Sequence, residues 1–157
     1  MIRKLPAGFT LLEILLVVSI LGILAAVSTS YFRNYGKGRE LDVAARNINF
    51  ALKSAQGKAI TGEDQMKWGV HFVNGPAAFD DYYEIFSTPT VYSDGSTVVT
   101  ETIYLPSSVI FNDPVTSSSK DIIFDRIKGT ISAQTTVTVA SENNTKVITI
   151  NAQGNIY

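Results

Sequence analysis

The chain has 157 residues, a formal net charge of −1 and no cysteine. A charge so close to zero gives no general attraction to nucleic acid, and a chain without cysteine has neither a disulfide framework nor thiol chemistry. This length suits one domain of ordinary size beside an anchor segment, with enough residues for a single hydrophobic core.

The first 32 residues combine a short basic leader, a Gly-Phe junction and a long apolar run. No residue from Ile14 to Phe32 is charged, and about 18 or more such residues are enough to cross the roughly 30 Å hydrocarbon core of a membrane as a helix. Glu13 opens the run. A carboxylate deep in such a span costs about 2.5–3.5 kcal/mol, so we treat Glu13 as a functional candidate. The alternative interpretation is that Glu13 lies at the membrane surface, where water solvates its carboxylate.

Gly8 to Glu13, with the sequence GFTLLE, resembles the processing signature of type IV pilins and of the pseudopilins of type II secretion systems. Arg3 and Lys4 match the basic leader residues of that signature. The resemblance implies that a prepilin peptidase cuts between Gly8 and Phe9 and methylates the new amino group of Phe9. It also implies that Glu13 pairs with the Phe9 amine of a neighbouring subunit. Pairing offsets the cost of two buried charges only when the subunits are in register, which gives a reason for a charge at this position.

The resemblance implies a single-pass protein of the cytoplasmic (inner) membrane. Its N-terminus is expected in the cytoplasm and its C-terminal domain outside, with the mature chain in a fibre after assembly. The charges alone do not give this orientation, because Arg33, Lys37 and Arg39 outnumber Arg3 and Lys4 at the two ends of the span.

Two other interpretations of the N-terminus stay open. An ordinary secretory signal peptide has a basic segment, an apolar segment and a small-residue cleavage site such as Ala26-Val27-Ser28, although Glu13 weakens this interpretation. An uncut single-span anchor is the third possibility. The N-terminal residue of the mature protein distinguishes all three.

The apolar pattern predicts that the helix continues past the span to about Ile60, where Thr61-Gly62 supplies a stop. One helical stripe recurs at three- and four-residue spacing: Leu41, Ala44, Ala45, Ile48, Leu52, Ala55 and Ala59. We therefore divide the chain into a leader (1–8), a transmembrane and assembly helix (9–32), an amphipathic continuation of the helix (33–62) and an extracytoplasmic β domain (63–157).

From Met66 onward the apolar residues alternate, as is typical of strands, and the runs are separated by turn-forming residues. The predicted strands are Trp68–Val73, Tyr82–Ser87, Val98–Leu105, Val109–Phe111, Ile122–Asp125, Thr135–Ala140 and Lys146–Asn151, with a short strand at the end. The last two long strands form a hairpin. The fold class is α+β: a long N-terminal helix, membrane-spanning in its first half, whose second half packs against one antiparallel sheet in a pilin-like arrangement.

The β domain is similar in particular to the minor pseudopilins of the GspH/FimT type. The residues that carry this resemblance are Trp68–Phe72, Tyr83–Phe86, Leu105-Pro106, Ile123-Phe124 with Gly129, and the closing Ile148–Ile156 hairpin with Gly154.

The charges are unevenly distributed along the chain. Residues 33–58 contain six basic and two acidic residues, whereas residues 63–113 contain one basic and eight acidic residues. The two segments are therefore expected either to attract each other or to meet between neighbouring subunits, although solvated charges without partners are an equally good interpretation of any one residue.

We find no constellation for catalysis or metal binding. His71 is the only histidine, so it lacks partners for a zinc site, and by alternation we expect it to face solvent. Asp80, Asp81, Glu84 and Asp94 are the kind of oxygen ligands that calcium uses. Their spacing matches no calcium loop, and we assign them to turns.

The sequence thus predicts a structural, non-enzymatic subunit of a type II secretion or type IV pilus-like fibre. Its expected partners are prepilin peptidase, other pilin or pseudopilin subunits and membrane lipids, without nucleic acid, small-molecule substrate, cofactor or metal. The alternatives are a minor pilin that binds DNA or a surface, and an uncleaved membrane-anchored domain. Lys146 is the single basic residue after Ser132, which disfavours DNA binding by the C-terminal part.

Overall fold

A computed structural model of the chain describes residues 8–76, 81–142 and 144–157, and for residues 27–35 it describes the backbone only. The described residues form one long helix followed by seven strands. They divide into two compact units, with the boundary between Gly36 and Lys37.

Helix α1 extends from Leu11 to Thr61. In the second unit its apolar stripe is buried, since Leu41, Ile48 and Leu52 are at most 1% exposed. Gly62 follows the helix with φ of 70°, a left-handed conformation that glycine adopts without steric cost and that commonly ends helices. The predicted stripe and the predicted helix end are both confirmed.

The strands are β1 (Lys67–Asn74), β2 (Tyr82–Thr88), β3 (Val98–Tyr104), β4 (Ile110–Asp113), β5 (Ser118–Phe124), β6 (Thr135–Ser141) and β7 (Asn144–Ile150). Each of the seven long strands predicted from alternation has a counterpart among them, whereas the predicted short strand at the end of the chain is only an isolated bridge between Ile150 and Ile156. β5 begins at Ser118 rather than at the predicted Ile122, because Ser118, Ser119 and Lys120 give no apolar alternation to read. A single 3-10 turn, Glu63–Gln65, joins α1 to β1.

The strands form two antiparallel sheets, not the one sheet predicted. The first sheet has the order β3-β2-β1-β5 and the second has the order β4-β6-β7. Alternation shows which residues lie in strands, but it does not show which strands pair, and β4 pairs with the distant β6 instead of with β3. The predicted hairpin is confirmed, with Thr135 opposite Ile150 and Ser141 opposite Asn144.

Both sheets and the second half of α1 share one hydrophobic core. Phe72 of the first sheet meets Phe111 of the second edge to face, with ring centroids 5.7 Å apart and an interplanar angle of 83°. Such pairs contribute about 0.5–1.5 kcal/mol beyond the burial of their area. The α+β fold class is confirmed.

Buried polar groups also connect the two sheets. The side-chain amide of Asn74, 5% exposed, donates to the carbonyls of Phe111 at 2.8 Å and Pro114 at 2.7 Å. Asp81 accepts from the Phe111 amide at 2.6 Å. Because each of these groups is satisfied, they fix the relative position of β1 and β4 without leaving an unpaired buried amide.

Candidate processing and assembly site

Thr10 caps the beginning of α1. Its carbonyl accepts hydrogen bonds from the amides of Glu13 at 3.1 Å and Ile14 at 3.2 Å. Its hydroxyl oxygen accepts from the same Glu13 amide at 3.2 Å. A threonine hydroxyl that binds the third amide of a helix is a typical N-cap and stabilises the helix by about 1 kcal/mol. Gly8 and Phe9 consequently precede the helix, which begins at Leu11.

Glu13 is the third residue of α1, in the first turn, where the helix dipole favours a negative charge by about 0.3–1 kcal/mol. Its side chain is exposed. Among the residues that the structure describes, no group forms a hydrogen bond or an ion pair with its carboxylate. Glu13 is therefore available for a partner outside the single chain.

Thr10 was not among the predicted site residues, although the sequence contains a signal for it. Thr10 and Glu13 have the T-x-x-E spacing of a capping box, placed directly before an apolar run. This spacing predicts a helix beginning at Leu11 instead of Phe9, and the structure has that beginning.

Gly8 has no packing role among the described residues. A Cβ atom built on Gly8 meets no atom within 4 Å, whereas one built on Gly154 would lie 2.1 Å from the carbonyl oxygen of Gly129. The fold itself therefore does not require glycine at position 8. Arg3 and Lys4, the predicted leader residues, lie outside the described residues.

Phe9 and the first half of α1 expose large apolar side chains in the single chain. Phe9 is 79% exposed, Leu11 83% and Leu12 73%, and every residue from Ile14 to Ala26 is exposed as well. A contiguous exposed apolar surface of this kind marks an interaction site.

Within the described part of the chain, no helix combines the length and the apolarity needed to cross a membrane. The predicted span over residues 9–32 runs in part through residues 27–32, whose side chains lie outside the description.

His71 on β1 corrects one sequence prediction, because it is buried, with 8% exposure. Alternation placed it on the correct face, opposite Trp68, Val70 and Phe72. The segment between β2 and β3 covers that face. The ring of Tyr92 from this segment stacks on the imidazole, with centroids 3.7 Å apart and an interplanar angle of 4°.

Carboxylates flank this stacked pair on both neighbouring strands. His71 lies opposite Glu84 of β2 and Asp121 of β5. Its Nδ1 atom lies 2.5 Å from Asp121 Oδ1, and the Tyr92 hydroxyl donates to Glu84 Oε2 at 2.5 Å. Burial, followed by the hydrogen bond to Glu84, raises the pKa of Tyr92. We call these four residues the outer-face cluster. Its contacts hold the segment between β2 and β3, residues 89–97, against the first sheet.

Three of the four carboxylates considered for calcium have other partners in the structure. Asp81 accepts hydrogen bonds from the backbone amides of Gly75 and Phe111. Glu84 accepts hydrogen bonds from the hydroxyls of Tyr92 and Thr102. Asp94 accepts hydrogen bonds from the Thr90 hydroxyl and the Ser96 amide. The hydrogen bond from Thr90, followed by that from the Ser96 amide, lowers the pKa of Asp94. Asp80 lies outside the described residues. In the described ranges, no three histidine, aspartate or glutamate side chains are grouped to hold a metal ion.

Replacing Tyr92 with alanine should destabilise the β domain by about 2–3 kcal/mol, because the variant loses the stack on His71 and the apolar area that it buries. Tyr92→Phe keeps the stack and loses only the hydrogen bond to Glu84, so we expect a loss of about 1 kcal/mol. Urea unfolding of the detergent-solubilised chain, followed by the fluorescence of its single tryptophan, Trp68, measures both losses. Tyr157→Ala, at a tyrosine that is 70% exposed, is the matched control. Equal midpoints for Tyr92→Ala and Tyr157→Ala would show that the cluster does not hold this segment.

Known proteins share both the N-terminal motif and part of the sequence. The family model for the prokaryotic N-terminal methylation motif matches residues 3–29, a range that includes Gly8, Phe9 and Glu13. Two fimbrial proteins of Pseudomonas aeruginosa are each 33% identical to the chain over 93 residues, which is 59% of this chain and 56% of each relative. The chain thus spans little more than half the length of these relatives. No solved structure matches the chain significantly. The methylation motif, the similarity to fimbrial proteins and the long helix packed on antiparallel sheets all support a type IV pilin-like protein.

Proposed function

We propose that the chain is a minor pseudopilin or minor pilin, a structural and non-enzymatic subunit of a type II secretion or type IV pilus-like fibre. Prepilin peptidase cuts it between Gly8 and Phe9 and methylates the Phe9 amine. The mature chain then assembles with other subunits through α1. The division into leader (1–8), assembly helix (9–32), amphipathic helix (33–62) and extracytoplasmic domain (63–157) is part of this proposal.

The arrangement at the beginning of α1 carries the proposal. The Gly8-Phe9 bond precedes the helix, because Thr10 caps the N-terminus of α1 and the helix begins at Leu11, so a protease can bind this bond in an extended form. Glu13 follows in the first turn without a partner among the described residues. Burying a carboxylate in an apolar surface has a large desolvation penalty, which an ion pair with a cation offsets. The new Phe9 amine of a neighbouring subunit is such a cation.

The exposed apolar surface of residues 9–26 supports storage in a membrane before assembly and contact with other subunits afterwards. We place the chain in the cytoplasmic membrane as a single-pass protein, with the leader in the cytoplasm and the β domain outside. The GspH/FimT-type subfamily remains our proposal from the pattern of apolar and turn residues in the β domain.

Incubation of the detergent-solubilised full-length chain with purified prepilin peptidase and a methyl donor tests the processing step. We expect a shorter product that begins at Phe9. A product cut at the small-residue site Ala26-Val27-Ser28 would instead identify a secretory signal peptide. An unchanged chain would identify an uncut anchor.

A further inference from the structure

A cleft lies beside β5, at one edge of the first sheet. Its volume is about 450 Å³, which is within the range of roughly 300–1,000 Å³ that is typical of ligand-binding pockets. Thr90 and Val91 form one wall, residues 131–135 form the other, and side chains of β1 and β5 form the floor. We call it the β5 cleft. It has room for a few residues of another chain.

The backbone of β5 presents hydrogen-bonding groups on the side away from β1. β5 is the last strand of its sheet, and its register with β1 is unbroken. The carbonyl oxygen of Ile122 faces β1, since it lies 2.5 Å from a Cβ atom built on Gly69. Neighbouring residues of a strand direct their N–H and C=O groups to opposite sides. The backbone groups of Asp121 and Ile123 therefore face away from β1.

This side of β5 is closed at its end and open before it. The amide of Asp125, just after β5, donates to the Thr130 carbonyl at 2.8 Å, in agreement with the alternation. Among the described residues, no group beyond β1 forms a hydrogen bond with the backbone of Asp121 or Ile123. An unpaired strand edge of this kind is a template on which an extended segment of another chain adds a strand.

The charges in the cleft favour a cationic side chain. Lys67 pairs with Asp125 at 2.8 Å, and no other basic residue lines the cleft within the described part of the chain. Asp121 uses only one carboxylate oxygen, Oδ1, which lies 2.5 Å from Nδ1 of His71. Its Oδ2 atom forms no hydrogen bond with a described residue. A free carboxylate oxygen attracts an arginine or a lysine and repels phosphate groups.

The same charges disfavour a second copy of this chain as the occupant. Two β5 edges paired with each other would bring the carboxylates of Asp121 and Asp125 in one copy close to those in the other. Like charges across an interface are repulsive. The favoured occupant is therefore a segment with a different sequence.

We propose that the β5 cleft binds an extended, basic segment of a different protein. The segment adds a strand to the first sheet through the backbone of Asp121 and Ile123, and its basic side chain pairs with Oδ2 of Asp121. Residues two positions away in a strand point to the same face, so an apolar residue at that spacing meets Val91. The inference goes beyond the proposed function, and it does not depend on processing at Gly8, because the cleft lies in the second unit.

A labelled pentapeptide, Val-Thr-Arg-Thr-Val, tests the proposal. Its fluorescence anisotropy is followed as the detergent-solubilised full-length chain is added. We expect saturable binding with a Kd below about 1 mM. Val-Thr-Glu-Thr-Val should bind at least about tenfold more weakly, because its carboxylate meets Asp121. The arginine peptide with every backbone amide N-methylated should also bind at least about tenfold more weakly, since it cannot donate to the strand edge.

Two proline variants locate the binding edge. Ile123→Pro removes an amide that faces the cleft and leaves the ladder with β1 intact, so we expect at least about tenfold weaker binding of the arginine peptide. Val147→Pro is the matched control, on the outer edge of β7. The Thr149 amide, two residues further along β7, donates to the Tyr157 carbonyl at 3.2 Å, so the Val147 amide also faces away from β6. Val147→Pro should bind the peptide normally.

Asp121→Asn tests the ion pair separately from the backbone contacts. This variant keeps the size of the side chain and removes its charge, so the arginine and glutamate peptides should bind it with Kd values within about twofold of each other. A preference for arginine that persists in Asp121→Asn would overturn the assignment to Asp121.

Four further results would overturn the inference. They are the absence of saturable binding, equal binding of the arginine and glutamate peptides to the unmodified chain, undiminished binding of the N-methylated peptide, and undiminished binding to Ile123→Pro. Sedimentation of the chain alone tests the other occupant. A dimer that the arginine peptide dissociates would assign the β5 cleft to a second copy and overturn the proposal of a different protein. None of these results bears on cleavage after Gly8, which is measured separately.

Discussion

Gly8→Leu should leave the chain at its full length of 157 residues, with cleavage by prepilin peptidase at least about tenfold slower, which is a loss of 1.4 kcal/mol or more in transition-state stabilisation. A bulky side chain beside the scissile bond interferes with the binding of the protease, whereas the fold has room for it, because no described atom lies within 4 Å of a Cβ at position 8. Immunoblots that separate the full-length from the processed chain measure the effect.

Gly22→Leu is the matched control for this experiment. Gly22 also has no described atom within 4 Å of a built Cβ, and it lies inside α1, beyond the processing signature. The control chain should be cut normally. Normal cutting of Gly8→Leu would contradict the proposed cleavage site.

Glu13→Ala should leave cleavage largely intact and reduce incorporation into fibres at least about a hundredfold. Removing one partner of a buried ion pair costs about 3–5 kcal/mol, since the remaining charge stays buried alone. The loss of the favourable interaction between Glu13 and the helix dipole is about 0.3–1 kcal/mol, which is too small for such an effect. The ratio of processed chain in fibres to processed chain in membranes is the measurement.

Two further variants separate the charge from the shape at position 13. Glu13→Gln keeps the size of the side chain and removes the charge, so it should assemble as poorly as Glu13→Ala. Glu40→Ala removes an exposed carboxylate elsewhere on α1 and should assemble normally. Efficient assembly of Glu13→Gln would show that Glu13 does not pair with the Phe9 amine.

Much of the fold could be predicted from the sequence because its signals are local. The apolar stripe from Leu41 to Ala59 predicts the helix, the glycine at position 62 predicts its end, and alternation predicts every strand. The pairing of strands into two sheets depends on contacts between residues far apart in the chain, such as Asn74 with Phe111. A single sequence contains no local signal for such contacts.

The candidate site also contains residues that local sequence signals predict and residues whose surroundings depend on distant segments. A short motif predicts Gly8, Phe9 and Glu13 as site residues, and the T-x-x-E spacing at Thr10 is equally local. His71 was misjudged because its burial depends on Tyr92, which comes from a different segment, and on Asp121, which comes from a different strand. Alternation predicts the face of a side chain but not what covers that face.

The N-terminal residue of the mature chain tests the central claim most directly. Mass spectrometry of the chain isolated from fibres or from the membrane of its host identifies this residue and any modification on it. Processing by prepilin peptidase predicts Phe9 with a methyl group on its amine. A mature chain that begins at Met1, or at a residue after the apolar run, would contradict the proposed processing and assembly.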